Sequence, residues 1–109
     1  MKYVDYRTIM EQQFNYCKEL SDKKNQEYTP STKDKEEDIL SQFKRAAMLT
    51  ESTPRQALLG MLMKHLISLV DMCNSKDSYS LETWTEKITD TTNYLTLLKA
   101  LVIEETGNV

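Results

Sequence analysis

The chain has 109 residues, 39% hydrophobic and 28% charged, with a net charge of −3 and a mean hydropathy of −0.58. That length suits one domain with one modest core, and the acidic balance argues against a nucleic-acid binder that works through a basic face. Two glycines and two prolines are too few to turn the strands of an all-β sandwich, which leaves an all-α fold.

In chain order, Tyr6, Ile9, Phe14, Cys17 and Leu20 recur at three- to five-residue steps and predict a first helix over 3–24 with one apolar face. Lys23 and Lys24 close it where positive charge is favoured. Residues 25–36 read as a polar loop, with Pro30 and a run of alternating and then acidic charges up to Asp38. A short second helix over 37–49 has Ile39, Leu40, Phe43, Ala46 and Ala47 on its apolar side. Thr53-Pro54 is a start signal, with Thr as N-cap and Pro in the first helical position, and a third helix follows to about Asn74. A fourth runs from a cap at Ser78 or Ser80 to about Glu105, with Gly107 as its terminator.

At 100° per residue, nine apolar residues of the third helix cover about half its circumference: Leu58, Leu59, Leu62, Met63, Leu66, Ile67, Leu69, Val70 and Cys73. Lys64, Ser68 and Asp71 share the remaining narrow stripe. In the fourth helix Trp84, Ile88, Leu95, Leu98 and Val102 form an apolar stripe, with Glu86, Asp90, Asn93 and Leu97 beside it and Tyr94 and Leu101 between the two. So much apolar surface on two long helices predicts a homodimer or larger homo-oligomer with those helices at the interface. The expected architecture is a single all-α domain over 1–109, a compact bundle of about four helices with two long antiparallel helices at its centre. No apolar run approaches the length of a membrane span, since Lys64, His65 and Ser68 interrupt the longest, and no secretory signal opens the chain. Cys17 and Cys73 read as small buried hydrophobes in a reducing cytoplasm.

Nucleophilic schemes would all depend on the single His65, and a phosphate-cradling loop cannot be built from Gly60 and Gly107 alone. Oxygen chemistry remains. Asp71, Glu86 and Asp90 are candidate ligands for Mg²⁺ completed by substrate phosphates, with Lys64 paired to a phosphate. Glu86 and Asp90, four residues apart, repel each other unless a cation sits between them. The alternative is that Glu86 and Asp90 form a solvated edge and Lys64 and Asp71 a surface ion pair.

Three stretches taken together resemble a known family. They are Lys24-Asn25-Gln26-Glu27-Tyr28, residues 39–47 (ILSQFKRAA), and residues 63–68 (MKHLIS) with 84–94 (WTEKITDTTNY). The pattern is similar to that of the nucleotide-modification-associated domain proteins of phages and prophages, which in turn resemble the all-α, MazG-like nucleoside triphosphate pyrophosphohydrolases. The resemblance covers roughly residues 20–105, and the fourth-helix motif is its most specific part. It implies a nucleotide site lined by Lys24, Asn25, Glu27, Tyr28, Lys64, Glu86, Asp90, Asn93 and Tyr94, with His65 and Ser68 as neighbours. The chain departs from the MazG-like pattern in two places. Glu36-Glu37 is followed by Asp38, Ile39 and Leu40, so E-E-x-x-E is absent, and the i, i+4 pair Glu86-Asp90 replaces E-x-x-D.

The expected function is therefore a nucleotide-binding phage or prophage protein acting in the host cytoplasm. It would be a Mg²⁺-dependent pyrophosphohydrolase in which Glu86 and Asp90 ligate metal and activate water. The alternative is a non-catalytic counter-defence protein that sequesters a nucleotide or cyclic-nucleotide signal or inhibits a host defence protein.

Overall fold

The computed structural model describes residues 1–28 and 38–107 and contains four helices, α1 (Tyr3–Tyr28), α2 (Ser41–Leu49), α3 (Pro54–Asn74) and α4 (Leu81–Thr106), with no strand among the described residues. The chain divides into two compact units, Met1–Glu37 and Asp38–Val109. The first is α1. Its least exposed residues are Met10, Gln13, Cys17, Leu20 and Lys24, a 3-4-3-4 spacing that keeps one stripe aligned along a helix. The expected face is only partly this one, because Tyr6, Ile9 and Phe14 are exposed. Tyr3 and Tyr6 lie ring to ring at 6.3 Å, and Arg7 pairs with Glu11 one turn on. Helix α1 also runs one turn further than its charge pattern suggests: Asn25–Tyr28 are helical, not the start of a loop. The remainder of the expected polar loop lies outside the described residues.

In the second unit, each helix boundary has a local cause. Asp38 Oδ1 accepts the Leu40 N–H at 2.9 Å, and a tight turn over 38–40 precedes α2, which starts four residues later than the sequence suggests. Helix α2 ends where the Ser52 N–H reaches the Ala47 carbonyl at 2.9 Å, closing a six-residue loop with Glu51 in the left-handed region at φ 52°. Helix α3 starts on a reciprocal capping box: Thr53 Oγ1 accepts from the Gln56 N–H at 3.2 Å, and Gln56 Oε1 accepts from the Thr53 N–H at 2.9 Å. Ser80, not Ser78, caps α4 by accepting from the Thr83 N–H at 3.1 Å. Tyr79 before that cap and Trp84 in the next turn meet edge to face at 6.1 Å, a hydrophobic staple. Gly107 ends α4 at φ 70°, a conformation that costs a glycine nothing.

Helices α3 and α4 run antiparallel, joined by residues 75–80. Among the buried and half-buried residues of α3, Leu58, Leu62, His65, Leu69 and Met72 fall at 4-3-4-3, the spacing of a helix seam that follows a neighbour. Against the N-terminal half of α3 sits the core: Leu40 of the preceding turn and Phe43 of α2 with Leu58 and Leu101, and Met61, Tyr94, Leu97 and Leu98 packed around them. Phe43, Leu58 and Leu101 are completely buried. Burying a side chain of that size contributes about 1.5–3 kcal/mol. The buried line of α4 therefore follows Tyr94, Leu98 and Leu101, while Ile88 and Leu95 of the expected apolar stripe are exposed. The same end is tied by charge. Lys44 bridges Asp38 (2.6 Å) and Glu104, and Arg55 pairs with Glu105.

By length and composition, α3 is the one helix among the described residues that is long and apolar enough to cross a membrane. It meets that measure even though Lys64, His65 and Ser68 interrupt its apolar run. Its apolar arc divides in two. Leu58, Leu62 and Met72 are buried, but Leu59, Met63, Ile67, Val70 and Cys73 are exposed. Cys17 is buried as expected, whereas Cys73 is not. Met72, absent from the expected arc, takes a buried place instead.

Candidate functional site

The most coherent group of polar residues from the expected site lies along the seam between α3 and α4. The rings of His65 and Tyr94 face each other with centroids 4.9 Å apart, and Tyr94 meets Phe43 edge-on at 6.3 Å. An aromatic column thus runs from the core into the seam. The antiparallel register that sets His65 against Tyr94 puts Ser68 and Leu69 level with Asp90 and Thr91. Ser68, Asp90 and Asn93 are all half-buried. Purely apolar side chains would pack such a seam better, so three half-buried polar groups at neighbouring levels mark a place where the packing pattern breaks.

Several threonines of α4 accommodate themselves locally. Thr91, buried, donates its hydroxyl to the Lys87 carbonyl at 2.8 Å, and Thr85, Thr92 and Thr96 donate to the carbonyls four residues back. This back-bonding satisfies the hydroxyls without using a neighbour. No buried side-chain nitrogen or oxygen among the described residues lacks a hydrogen-bond partner.

The other expected residues lie elsewhere. Lys64 and Glu86 are exposed. In the His65–Tyr94 register Lys64 is level with Leu95, nine residues from Glu86, which is about 14 Å along the helix axis. Asp71 is exposed and comes level with Ile88. Among the described residues no three His, Cys, Asp or Glu side chains gather closely enough to hold a metal ion. Asp71, Glu86 and Asp90 thus do not converge as an oxygen set for Mg²⁺.

Lys24, half-buried, and Asn25, exposed, stand near the end of α1 in the first unit. Glu27 and Tyr28 fall in its last turn, and their side chains lie outside the described residues.

The ion-paired groups at the other end of the second unit were not singled out by the sequence. Asp38 is held below the usual carboxylate range, first by its hydrogen bond from Lys44 and then by the Leu40 N–H. Lys44 is held above the usual lysine value by Asp38 and then Glu104. Their separation of six and sixty residues from Lys44 hides this trio from any local pattern, and its place at the bundle end makes it a structural clamp.

No family model, curated protein or solved structure matches the chain.

Proposed function

We propose that the protein is a nucleotide-binding protein whose ligand is held at the polar seam of α3 and α4. The observation that carries this reading is the His65–Tyr94 ring pair with half-buried Ser68, Asp90 and Asn93 at the same and the next helical level. Aromatic faces accept a base by stacking, worth about 1–3 kcal/mol per base. Hydroxyl, amide and carboxylate groups beside them match the donors and acceptors of a base edge or ribose. The sequence resemblance of residues 84–94 to the phage family supports the same place.

Of the two outcomes for the ligand we take sequestration, which asks only for the stacking and hydrogen-bonding groups of the seam. A nucleotide or cyclic-nucleotide signal held intact by a chain of this kind would be withdrawn from a host defence pathway.

Titration calorimetry with a panel of deoxynucleoside triphosphates and cyclic nucleotides, with and without Mg²⁺, tests this. Binding is expected, and Asn93→Ala or Ser68→Ala is expected to weaken it by about tenfold, the loss of one hydrogen bond. Recovery of intact ligand from the denatured complex supports sequestration. Recovery of cleaved product replaces it with hydrolysis. No binding to any member of the panel ends the nucleotide reading.

A further inference from the structure

The side of α3 that faces neither α2 nor α4 carries a second apolar row. Leu59, Met63, Ile67 and Val70 are 47%, 43%, 55% and 58% exposed, and at 100° per residue they fall within one arc of about 80°. Along one edge of that row lie Gly60, Lys64 and Asp71. Gly60 has ordinary helical backbone, and a Cβ built on it would meet nothing within 4 Å, so nothing among the described residues calls for a glycine. Lys64 and Asp71 are exposed, and neither has an ion-pair partner among the described residues.

The row has an order that selects its occupant. A second α3 laid antiparallel, with a two-fold axis near Ile67, places Met63 beside Val70 of the other copy and Ile67 beside its own equivalent. In that arrangement the same edge of each helix meets across the seam. Lys64 then comes beside Asp71 of the other copy, and the pair occurs twice by symmetry. A parallel arrangement about a two-fold axis puts this edge of the two helices on opposite sides of the seam, so Lys64 and Asp71 of the two copies would not meet. The glycine beside the row admits close approach of the second backbone.

We propose that the outward row of α3 is a self-association face, on which two copies of the chain pair antiparallel about Ile67 with reciprocal Lys64–Asp71 ion pairs. This does not rest on the nucleotide reading, since no seam residue of the proposed ligand site takes part. Four half-exposed apolar side chains place the interface at the small end of specific contacts, so the dimer is concentration-dependent, with Kd on the order of micromolar or weaker.

Sedimentation equilibrium on the full chain, from low micromolar to near-millimolar, is the test. A monomer–dimer equilibrium is expected. Lys64→Glu and Asp71→Lys should each weaken it by roughly tenfold, because two pairs turn repulsive at once, and the double variant should restore it to within about threefold of the parent. Circular dichroism of each variant separates lost pairing from lost folding. In a Cys73→Ser background, Ile67→Cys should form a disulfide-linked dimer on mild oxidation, because a residue on the axis meets its own equivalent. A monomer at every concentration overturns the proposal. So does a dimer indifferent to both charge reversals and resistant to cross-linking at 67, which would use another face. Monomer that sediments with phosphatidylcholine vesicles, and loses that property in Ile67→Glu, assigns the row to lipid and likewise overturns it.

Discussion

The two ends of the α3–α4 pair are built differently. At one end, Leu40, Phe43, Leu58 and Leu101 form an apolar core, and Lys44 and Arg55 tie α2 and α3 to the last turns of α4. Past His65 and Tyr94, the seam holds Ser68, Asp90 and Asn93 half-buried, and no equivalent apolar cluster is present among the described residues. Length explains part of the contrast. Helix α2, at 9 residues, is about 14 Å long against roughly 31 Å for α3, so it covers only one end of the pair. One end is therefore built to hold the helices together, and the other carries half-buried polar groups.

Five variants would sharpen or break this contrast. The largest effect is expected from Phe43→Ala, which empties the centre of the core and should cost about 3–5 kcal/mol in urea denaturation. Ser68→Ala in the polar seam should cost less than about 1 kcal/mol by the same measure. Equal losses at the two positions would erase the distinction. Next is Thr53→Ala, which removes half of the capping box of α3 and should destabilise by about 1 kcal/mol. An unchanged unfolding midpoint would mean that Pro54 alone sets the start of α3.

A gain is expected from Glu51→Gly. The left-handed backbone at φ 52° strains any residue with a Cβ, and relief of that strain should add roughly 0.5–1 kcal/mol, visible as a higher thermal midpoint. A lower midpoint would show that the Glu51 side chain does something its backbone geometry does not suggest.

The smallest effect is the acid dependence of the clamp. Asp38 titrates below its usual 3.8 in the folded chain. It therefore contributes stability above that pH and loses it as pH falls through the folded value. Its side chain is 40% exposed, so solvent screening limits the contribution to a few tenths of a kcal/mol. Asp38→Asn keeps an oxygen for the Leu40 N–H and removes the charge, so parent and variant should differ at pH 6 and converge as pH falls through the folded value of Asp38. Lys44 has the opposite sign. Its raised value means that its contribution is present below pH 10.5 and lost as pH rises beyond the folded value. A gap that widens in acid would contradict the ion-pair assignment.

Much of the fold was legible because its signals are local. Thr53-Pro54 marked the start of α3, a serine before residue 81 that of α4, and Gly107 its end, since capping groups act within a few residues of the backbone they satisfy. The start of α2 was misplaced because Asp38 caps a turn at Leu40 and not the helix itself. The wheel found that α3 is apolar over half its circumference but could not tell which half is covered. Leu58 and Leu59 are equally apolar neighbours, yet Leu58 is buried and Leu59 is 47% exposed. In the expected site, Glu86 and Asp90 share a helix flank by spacing, but the distance between Lys64 and Glu86 depends on the register of two helices, which no single-helix pattern contains.

What the amino-acid sequence determined by itself was the helical class, most helix limits and the amphipathic stripes, because hydrogen bonds within a helix and its caps span only three or four residues. Only the tertiary structure decided that His65 faces Tyr94, that Lys44 reaches Glu104, and which side of α3 stays open. Those facts depend on pairings between residues tens of positions apart, where packing chooses among faces that composition leaves equivalent.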